Sequence, residues 1–233
     1  MKSEQNSQFL EMKSPSPALK RVIAYVDGFN LYFGLKEEKW RRLYWLDIAL
    51  LVKNLLKPDQ ILSFTNYFTS RVRGAAPGDS AGAAADREAS RRRQTIFLEA
   101  LATFPNLKIV EGHFLYKPVK CRNCKQVNYR FEEKMTDVNI ATQLLVDAYA
   151  DKFDVAFIIS ADSDLISPVK AVRQHFPSKR IVIVFPPKRD SRALANVSNA
   201  CLRIGRRTLL KSLLPLVVSL PDGRTVQCPP EWR

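Results

Sequence analysis

At 233 residues, 46% of them apolar, the chain can bury one substantial core, so one domain of about 180 residues plus tails is expected. Its longest apolar runs, Trp45 to Leu56 and Leu209 to Leu220, are interrupted by polar residues and fall short of the roughly 18 apolar residues of a membrane span. Lys and Arg number 37 against 23 Asp and Glu, a formal +14 that suits a partner with a phosphate backbone, the plainer readings being general solubility or an acidic partner protein.

Residues 1–20 are polar, contain Ser-Pro-Ser-Pro and lack the apolar core of a signal peptide, so they read as a disordered tail on a soluble protein. Arg21 to Val26 is a short buried strand, and Asp27-Gly28 reads as a turn after it. Trp45 to Leu56 is helical in pattern, and Ile61 to Thr69 alternates as a second strand. The stretch GAAPGDSAGAAAD (74–86) reads as a flexible loop before a helix from Arg87 to Phe104. A third strand comes next, at Leu107 to Phe114. Residues 115–131 form an inserted basic hairpin, with Cys121-Arg-Asn-Cys124 at its tip. Thr136 to Ala150 is a helix, and Val155 to Ser160 a wholly apolar strand with a helix after it, running to about Gln174. Arg180 to Phe185 is another buried strand, Arg192 to Ser198 a short helix, and Cys201 to Ile204 a last strand. The extension 206–233 carries Pro221-Asp-Gly between two apolar arms, the signature of a terminal hairpin. Apolar strands alternating with helices make an α/β fold with a mainly parallel sheet, covered on both faces.

In such sheets ligands bind beyond the carboxyl ends of the strands. Asp27 comes directly after the first strand. Asp162 and Asp164 come after the strand VAFIIS in the same way. Asp137 is placed by helical phase. Ile140, Ala141, Leu144, Leu145 and Ala148 lie three, four, seven, eight and eleven residues after it, so Asp137 begins the buried stripe and Asp147 falls off it. Carboxylates forced together repel, and a hard divalent cation removes the conflict; oxygen-only ligands suit Mg²⁺ or Mn²⁺ rather than zinc. Three of the four also have a purely structural reading. Asp27 suits a turn beside Gly28, Asp137 a cap with Thr136, and Asp164 a cap for the next helix.

Three blocks carry a family resemblance: Tyr25-Val-Asp-Gly-Phe-Asn-Leu-Tyr32, Glu133-Lys-Met-Thr-Asp-Val-Asn139 and Ser160-Ala-Asp-Ser-Asp-Leu165. In order and spacing they resemble the signature blocks of NYN domains, PIN-like metal-dependent ribonucleases, with the bacterial LabA-like branch as the nearest match. The resemblance spans about residues 21–205. It implies a PIN-like three-layer α/β/α sandwich and Mg²⁺- or Mn²⁺-dependent cleavage of RNA. It also implies that Asp27, Asp137, Asp162 and Asp164 are the metal carboxylates, with Asn30 and Ser160 as the accompanying polar residues. Where many relatives have a further acidic residue near the last strand, this chain has Asn199 and Cys201.

The resulting expectation is a cytoplasmic metal-dependent endoribonuclease that grips single-stranded or looped RNA through Arg71, Arg73, Lys120, Arg122, Lys125 and Lys134. A non-catalytic nucleic-acid-binding regulator of the same fold is the alternative, and hydrolysis of a small phosphoester a third reading. The four cysteines are too few and too uneven for a secreted disulfide framework, and agree with a reducing compartment. Cys121 and Cys124 have half a zinc site's spacing. A structural Zn²⁺ there would need Cys201, Cys228 or a second copy of the chain, the one pointer to a homo-oligomer, and two reduced thiols is the simpler reading. Tyr116, Tyr129 and Phe131 suit either base stacking or cross-strand packing. No Walker A, GxGxxG or GxSxG pattern is present, and Phe29 stands where a haloacid dehalogenase would have its second Asp.

Overall fold

The run Arg21-Val-Ile-Ala-Tyr-Val26 has an inward-facing residue on both sides of the chain, so it is stable only as a strand sandwiched between two cores. The computed structural model describes residues 18–75, 79–120, 122–124 and 127–233, with 114–118, 120 and 127–133 described by backbone alone. In chain order the main elements are β1 (Lys20–Asp27), α1 (Gly28–Glu37), α2 (Ile48–Lys53), β2 (Gln60–Ser70), α3 (Ala81–Leu101), β3 (Leu107–Lys120), β4 (Val127–Lys134) and α4 (Thr136–Tyr149). They continue with β5 (Val155–Ile159), α5 (Ile166–His175), β6 (Arg180–Phe185), α6 (Arg192–Val197), β7 (Ala200–Arg203), α7 (Arg206–Leu210), β8 (Val217–Ser219) and β9 (Thr225–Gln227).

Among the described residues seven strands form one sheet in the order β4-β3-β2-β1-β5-β6-β7, parallel throughout except for β4. Helices cover both faces, giving the three-layer α/β/α sandwich that the resemblance implies. Val22, Ala24 and Val26 face one core with α1, α2 and α3, and Ile23 and Tyr25 face the other with α4 and α5. The connections run outward from β1 in both directions, so the switch point lies between β1 and β5. β3 and β4 pair antiparallel from His113↔Lys134 to Lys120↔Val127, the hairpin expected from the sequence. Cys121 and Lys125 lie outside the described residues.

The structure departs from the sequence reading at several points. Asp27-Gly28 is not a turn but the start of α1. Asp27 Oδ1 accepts from the Asn30 backbone N–H at 2.9 Å, the bond of an N-cap. The stretch read as a flexible loop is helical from Ala81, with Ser80 accepting from Ala83 N–H at 3.3 Å; its alanines are the best helix formers, and they prevail over the lone Gly82. The helix at Trp45 to Leu56 shortens to α2, capped by Asp47. Asp147 does not fall off the buried stripe of α4. It is 2% exposed, because the stripe runs through Ile140, Leu144, Asp147 and Ala148, while Leu145 is 37% exposed.

Gly28 is required where it stands. A Cβ there would lie 2.6 Å from Cζ of Tyr67 and 2.8 Å from the Phe68 carbonyl oxygen. Gly28→Ala is expected to cost about 1–3 kcal/mol by overpacking, a drop in Tm of roughly 2–12 °C at this chain length, read by thermal unfolding.

At the opposite end of the strands, Arg21 clamps the β5 approach. Its guanidinium donates to Asp154 Oδ1 at 2.8 Å and to the Asp151 carbonyl at 2.7 Å, while Lys179 Nζ meets Asp151 Oδ1 at 2.5 Å. Lys179 and then Arg21 hold the Asp151 carboxyl below its ordinary range, and Arg21 does the same for Asp154. Folded-state values below the unfolded ones mean that this stabilisation is complete above about pH 4 and is lost as pH falls through the lowered values. Arg21→Met is expected to move the acid-unfolding midpoint to higher pH, and an unchanged midpoint would refute the linkage.

Candidate metal centre

The carboxyl ends of β1 and β5 meet at the switch point, and the site is built from the residues just beyond each of these strands. After β5, Ser160 is fully buried; its hydroxyl donates to Asp27 Oδ2 at 3.0 Å and accepts from the Asp162 backbone N–H at 3.1 Å. Asp162 then caps a 3-10 turn, Ser163–Leu165, its Oδ1 accepting from Asp164 N–H at 3.0 Å. Asp164 does not cap the helix after it, as its structural reading had it: the N-cap of α5 is Leu165, with no side-chain cap bond. Asn30 Oδ1 accepts from the Ala161 N–H at 3.2 Å, tying the first turn of α1 to the same loop.

The third contribution comes from α4. Met135 precedes it in the left-handed region, φ 81°, and makes no side-chain cap, so Asp137 is the acidic residue that the first turn presents at this end of the helix. Asp137, Asp162 and Asp164 each offer a carboxylate oxygen, and these atoms lie within 4.8 Å of one another. Asp137 and Asp162 are half-buried and Asp164 is exposed.

Three carboxylates this close repel in the absence of a counter-charge. The set consists of oxygen donors only, which fits a hard divalent cation of the Mg²⁺ or Mn²⁺ class and gives no purchase to a soft one. Asp27 is linked to the same loop by hydrogen bonds. It is 5% exposed, and its two oxygens accept from Asn30 N–H and Ser160, which in turn holds Asp162. Through these bonds Ser160 and Asn30 fix Asp27 and the β5 loop relative to each other. Asn199, in the region where many relatives carry a further acid, accepts from Ile181 N–H at 2.8 Å and pins the approach to β7.

Of the expected basic residues, the described ones lie along or beyond the same edge. Arg71 and Arg73 lie just beyond β2, both exposed, and Arg71 pairs with Glu111 at 2.8 Å. Lys134 is half-buried and ends β4 just before α4, and Arg122 is exposed at the hairpin tip; Lys120 is described by backbone alone. Exposed Lys188, Arg203 and Arg206 stand at or beyond the ends of β6 and β7 and add to this side. Tyr67, which no sequence pattern singles out, has its hydroxyl held protonated by burial and by the Asp27 charge.

A profile of the NYN domain matches residues 21–204. The chain belongs to the NYN-domain family, within the PIN-like superfamily. This NYN domain is also 24% identical, over 213 residues, to the 6-hydroxy-3-succinoylpyridine 3-monooxygenase of Pseudomonas putida (strain DSM 28022 / S16), covering 79% of the chain and 65% of that protein. The chain thus spans less than two thirds of the length of that relative. A protein of unknown function from Vibrio parahaemolyticus RIMD 2210633, known from its crystal structure, shares the fold with a TM-score of 0.50 and 15% identity, over 86% of this chain and 100% of that one. Among the described residues of the NYN domain, no helix is long and apolar enough to cross a membrane.

Proposed function

We propose that this NYN domain is a divalent-metal-dependent endoribonuclease. The observation that carries the reading is the trio Asp137, Asp162 and Asp164, with carboxylate oxygens within 4.8 Å at the switch point of a PIN-like sheet. These three residues would hold Mg²⁺ or Mn²⁺ directly or through water, and Asp27 would complete the acidic site from its place behind Ser160. Bound there, the cation supplies a Lewis acid for the phosphoryl oxygens and a lowered pKa for the attacking water.

The chain's own residues do the rest. Asp164, the exposed member of the trio, would accept a proton from the water as it attacks phosphorus. The P–O bond to the leaving ribose oxygen would then break, and that oxygen would take its proton from the protonated Asp164 or from solvent water, so no side-chain nucleophile is needed. Ser160 and Asn30 keep the two strand ends in register, a positioning role. Arg73, Arg122, Lys134 and the exposed residues at the ends of β6 and β7 would hold the phosphate backbone, with Lys120 of the hairpin and, from its place in the sequence, Lys125 as further contacts. Residues 21–205 would be the nuclease domain, acting in the cytoplasm.

The name of the P. putida relative suggests a competing assignment, oxidation of a substituted pyridine, and the test includes it. The test is incubation of labelled single-stranded RNA with Mn²⁺, Mg²⁺ or EDTA, beside a DNA arm and an arm with 6-hydroxy-3-succinoylpyridine plus a nicotinamide reductant. Cleavage of RNA that requires metal supports the proposal. RNA binding without cleavage under any metal gives the non-catalytic regulator instead, and oxidation of the pyridine gives the relative's chemistry.

A further inference from the structure

On the sheet face covered by α1, α2 and α3, a cavity of about 590 Å³ opens between α1, α3 and the C-terminal 3-10 turn Pro230–Trp232. That size lies within the range of small-molecule sites. Gly28 and Phe29, the residues directly after Asp27, line it, as does Tyr67, so the cavity begins one residue from the acidic edge of the sheet.

Its wall is a continuous run of rings. Tyr32 meets Tyr44 with centroids 5.1 Å apart, Tyr44 meets Trp232 at 5.7 Å, Trp232 meets Phe97 at 6.2 Å, and Phe97 meets Tyr67 at 6.1 Å. Trp232, Phe97 and Tyr67 are buried, whereas Tyr32 is 36% exposed and Tyr44 half-buried, so the run passes from core to solvent. The open end is basic. Lys36 holds its ammonium 5.9 Å from the Tyr32 ring centre, and Lys39 and Arg41 are lining residues beside it. Burial raises the Tyr32 hydroxyl's pKa, and the charges of Arg93 and Arg41 work against that rise, which places both guanidiniums within electrostatic reach of the ring. Of the acids lining the cavity, Glu231 is paired with Arg93 at 2.9 Å, and Asp86 is exposed on α3.

Flat rings at one end and cations at the other are complementary to a planar aromatic group that carries an anion. We propose that this cavity binds one nucleotide, its base against Tyr32, Tyr44 and Trp232 and its phosphate met by Lys36, Lys39 and Arg41. The choice of a nucleotide over another aromatic anion rests on the ribonuclease reading. The nucleotide has two sources, a free mononucleotide or an unpaired residue of the strand whose phosphate lies at the acidic edge. Trp232 and Glu231 lie beyond residues 21–204, so the C-terminal extension would supply a base contact that the matched region lacks.

The test is calorimetric titration of the whole chain in EDTA with 5′-AMP, with a five-nucleotide RNA and with benzoate, each repeated for Tyr32→Ala and Arg41→Ala. Both positions are exposed enough to change without unfolding, which a thermal melt checks. Tyr32→Ala is expected to weaken nucleotide binding about tenfold or more, and Arg41→Ala to weaken it and flatten its salt dependence. Such losses with 5′-AMP support the site with free nucleotide as a sufficient ligand, and losses with the RNA alone support it with the strand as source. Absence of binding by both, binding that neither substitution alters, or binding of benzoate in preference to both overturns the proposal. Since the titration excludes metal, failure here leaves the cleavage assay to decide the ribonuclease reading on its own.

Discussion

Asp162→Asn is expected to lower metal-dependent RNA cleavage by on the order of 10²–10³-fold, the scale for losing one group that stabilises developing charge. It is also expected to leave the protein folded in EDTA. Asparagine keeps an Oδ1 that can accept from Asp164 N–H, so the 3-10 turn retains its cap. The change removes one of three negative charges whose oxygens lie within 4.8 Å of one another. At about 4 Å, two such charges repel by roughly 1 kcal/mol in water and 4 kcal/mol at an effective dielectric of 20; a partly exposed cluster falls between. The metal-free Tm should therefore stay level or rise.

The wild-type chain should then gain Tm when Mn²⁺ is added, by about 2.7 kcal/mol of stabilisation at one hundred times Kd, and the variant should gain less. Full activity in Asp162→Asn, or an equal Mn²⁺-induced shift, would remove the trio from the chemistry. Asp27→Asn is a less clean experiment. Asp27 is buried and accepts from both Asn30 N–H and Ser160, so an amide in its place can leave one of those donors unmatched and confound activity with packing.

The range of the interactions decides how much of this was legible in the sequence. Parallel strands buried on both faces must be apolar throughout, which is why VAFIIS and RIVIVF gave β5 and β6 almost residue for residue. The same rule set Asp162 and Asp164 at a strand end, and helical phase set Asp137 at the start of α4. The start of α1 was hidden because an Asp side chain serves a turn and a helix cap by the same backbone bond. Leu31 and Leu35, four residues apart and both buried, are the signal that separates the two. Nothing local could show that Ser160 stands between Asp27 and Asp162, since that contact joins residues 133 positions apart. The aromatic cavity was invisible for the same reason, being assembled from α1, α3 and the last turn of the chain.

Asp147 shows how much a one-residue error in phase conceals, and it carries the largest stability effect expected away from the site. Centred on Ala141 and Leu145, the stripe excludes it; centred on Ile140 and Leu144, it places it in the core. There it accepts from the Tyr25 hydroxyl at 2.9 Å and from Gln143 Nε2 at 2.9 Å, and Lys152 reaches it at 3.1 Å from the surface. Tyr25 is fully buried, and burial first and Asp147 second keep its hydroxyl protonated, so it remains a donor throughout the neutral range. Asp147→Ala strands that hydroxyl and opens a void, for a loss of about 3 kcal/mol and a Tm lower by roughly 6–12 °C. Tyr25→Phe should cost less, about 1 kcal/mol, because Gln143 and Lys152 still hold the carboxylate. The double variant should cost less than the sum of the two, as contacting residues do. Manganese affinity decides between the two roles Asp147 can have. As a strut that seats α4 on β1 it should leave the Mn²⁺ Kd within a few fold, since Asp137 stands in the first turn of the helix and Asp147 near its last. If Asp147→Ala weakens Mn²⁺ as much as Asp162→Asn does, or leaves Tm unmoved, it is no strut, and the boundary between core and site runs elsewhere.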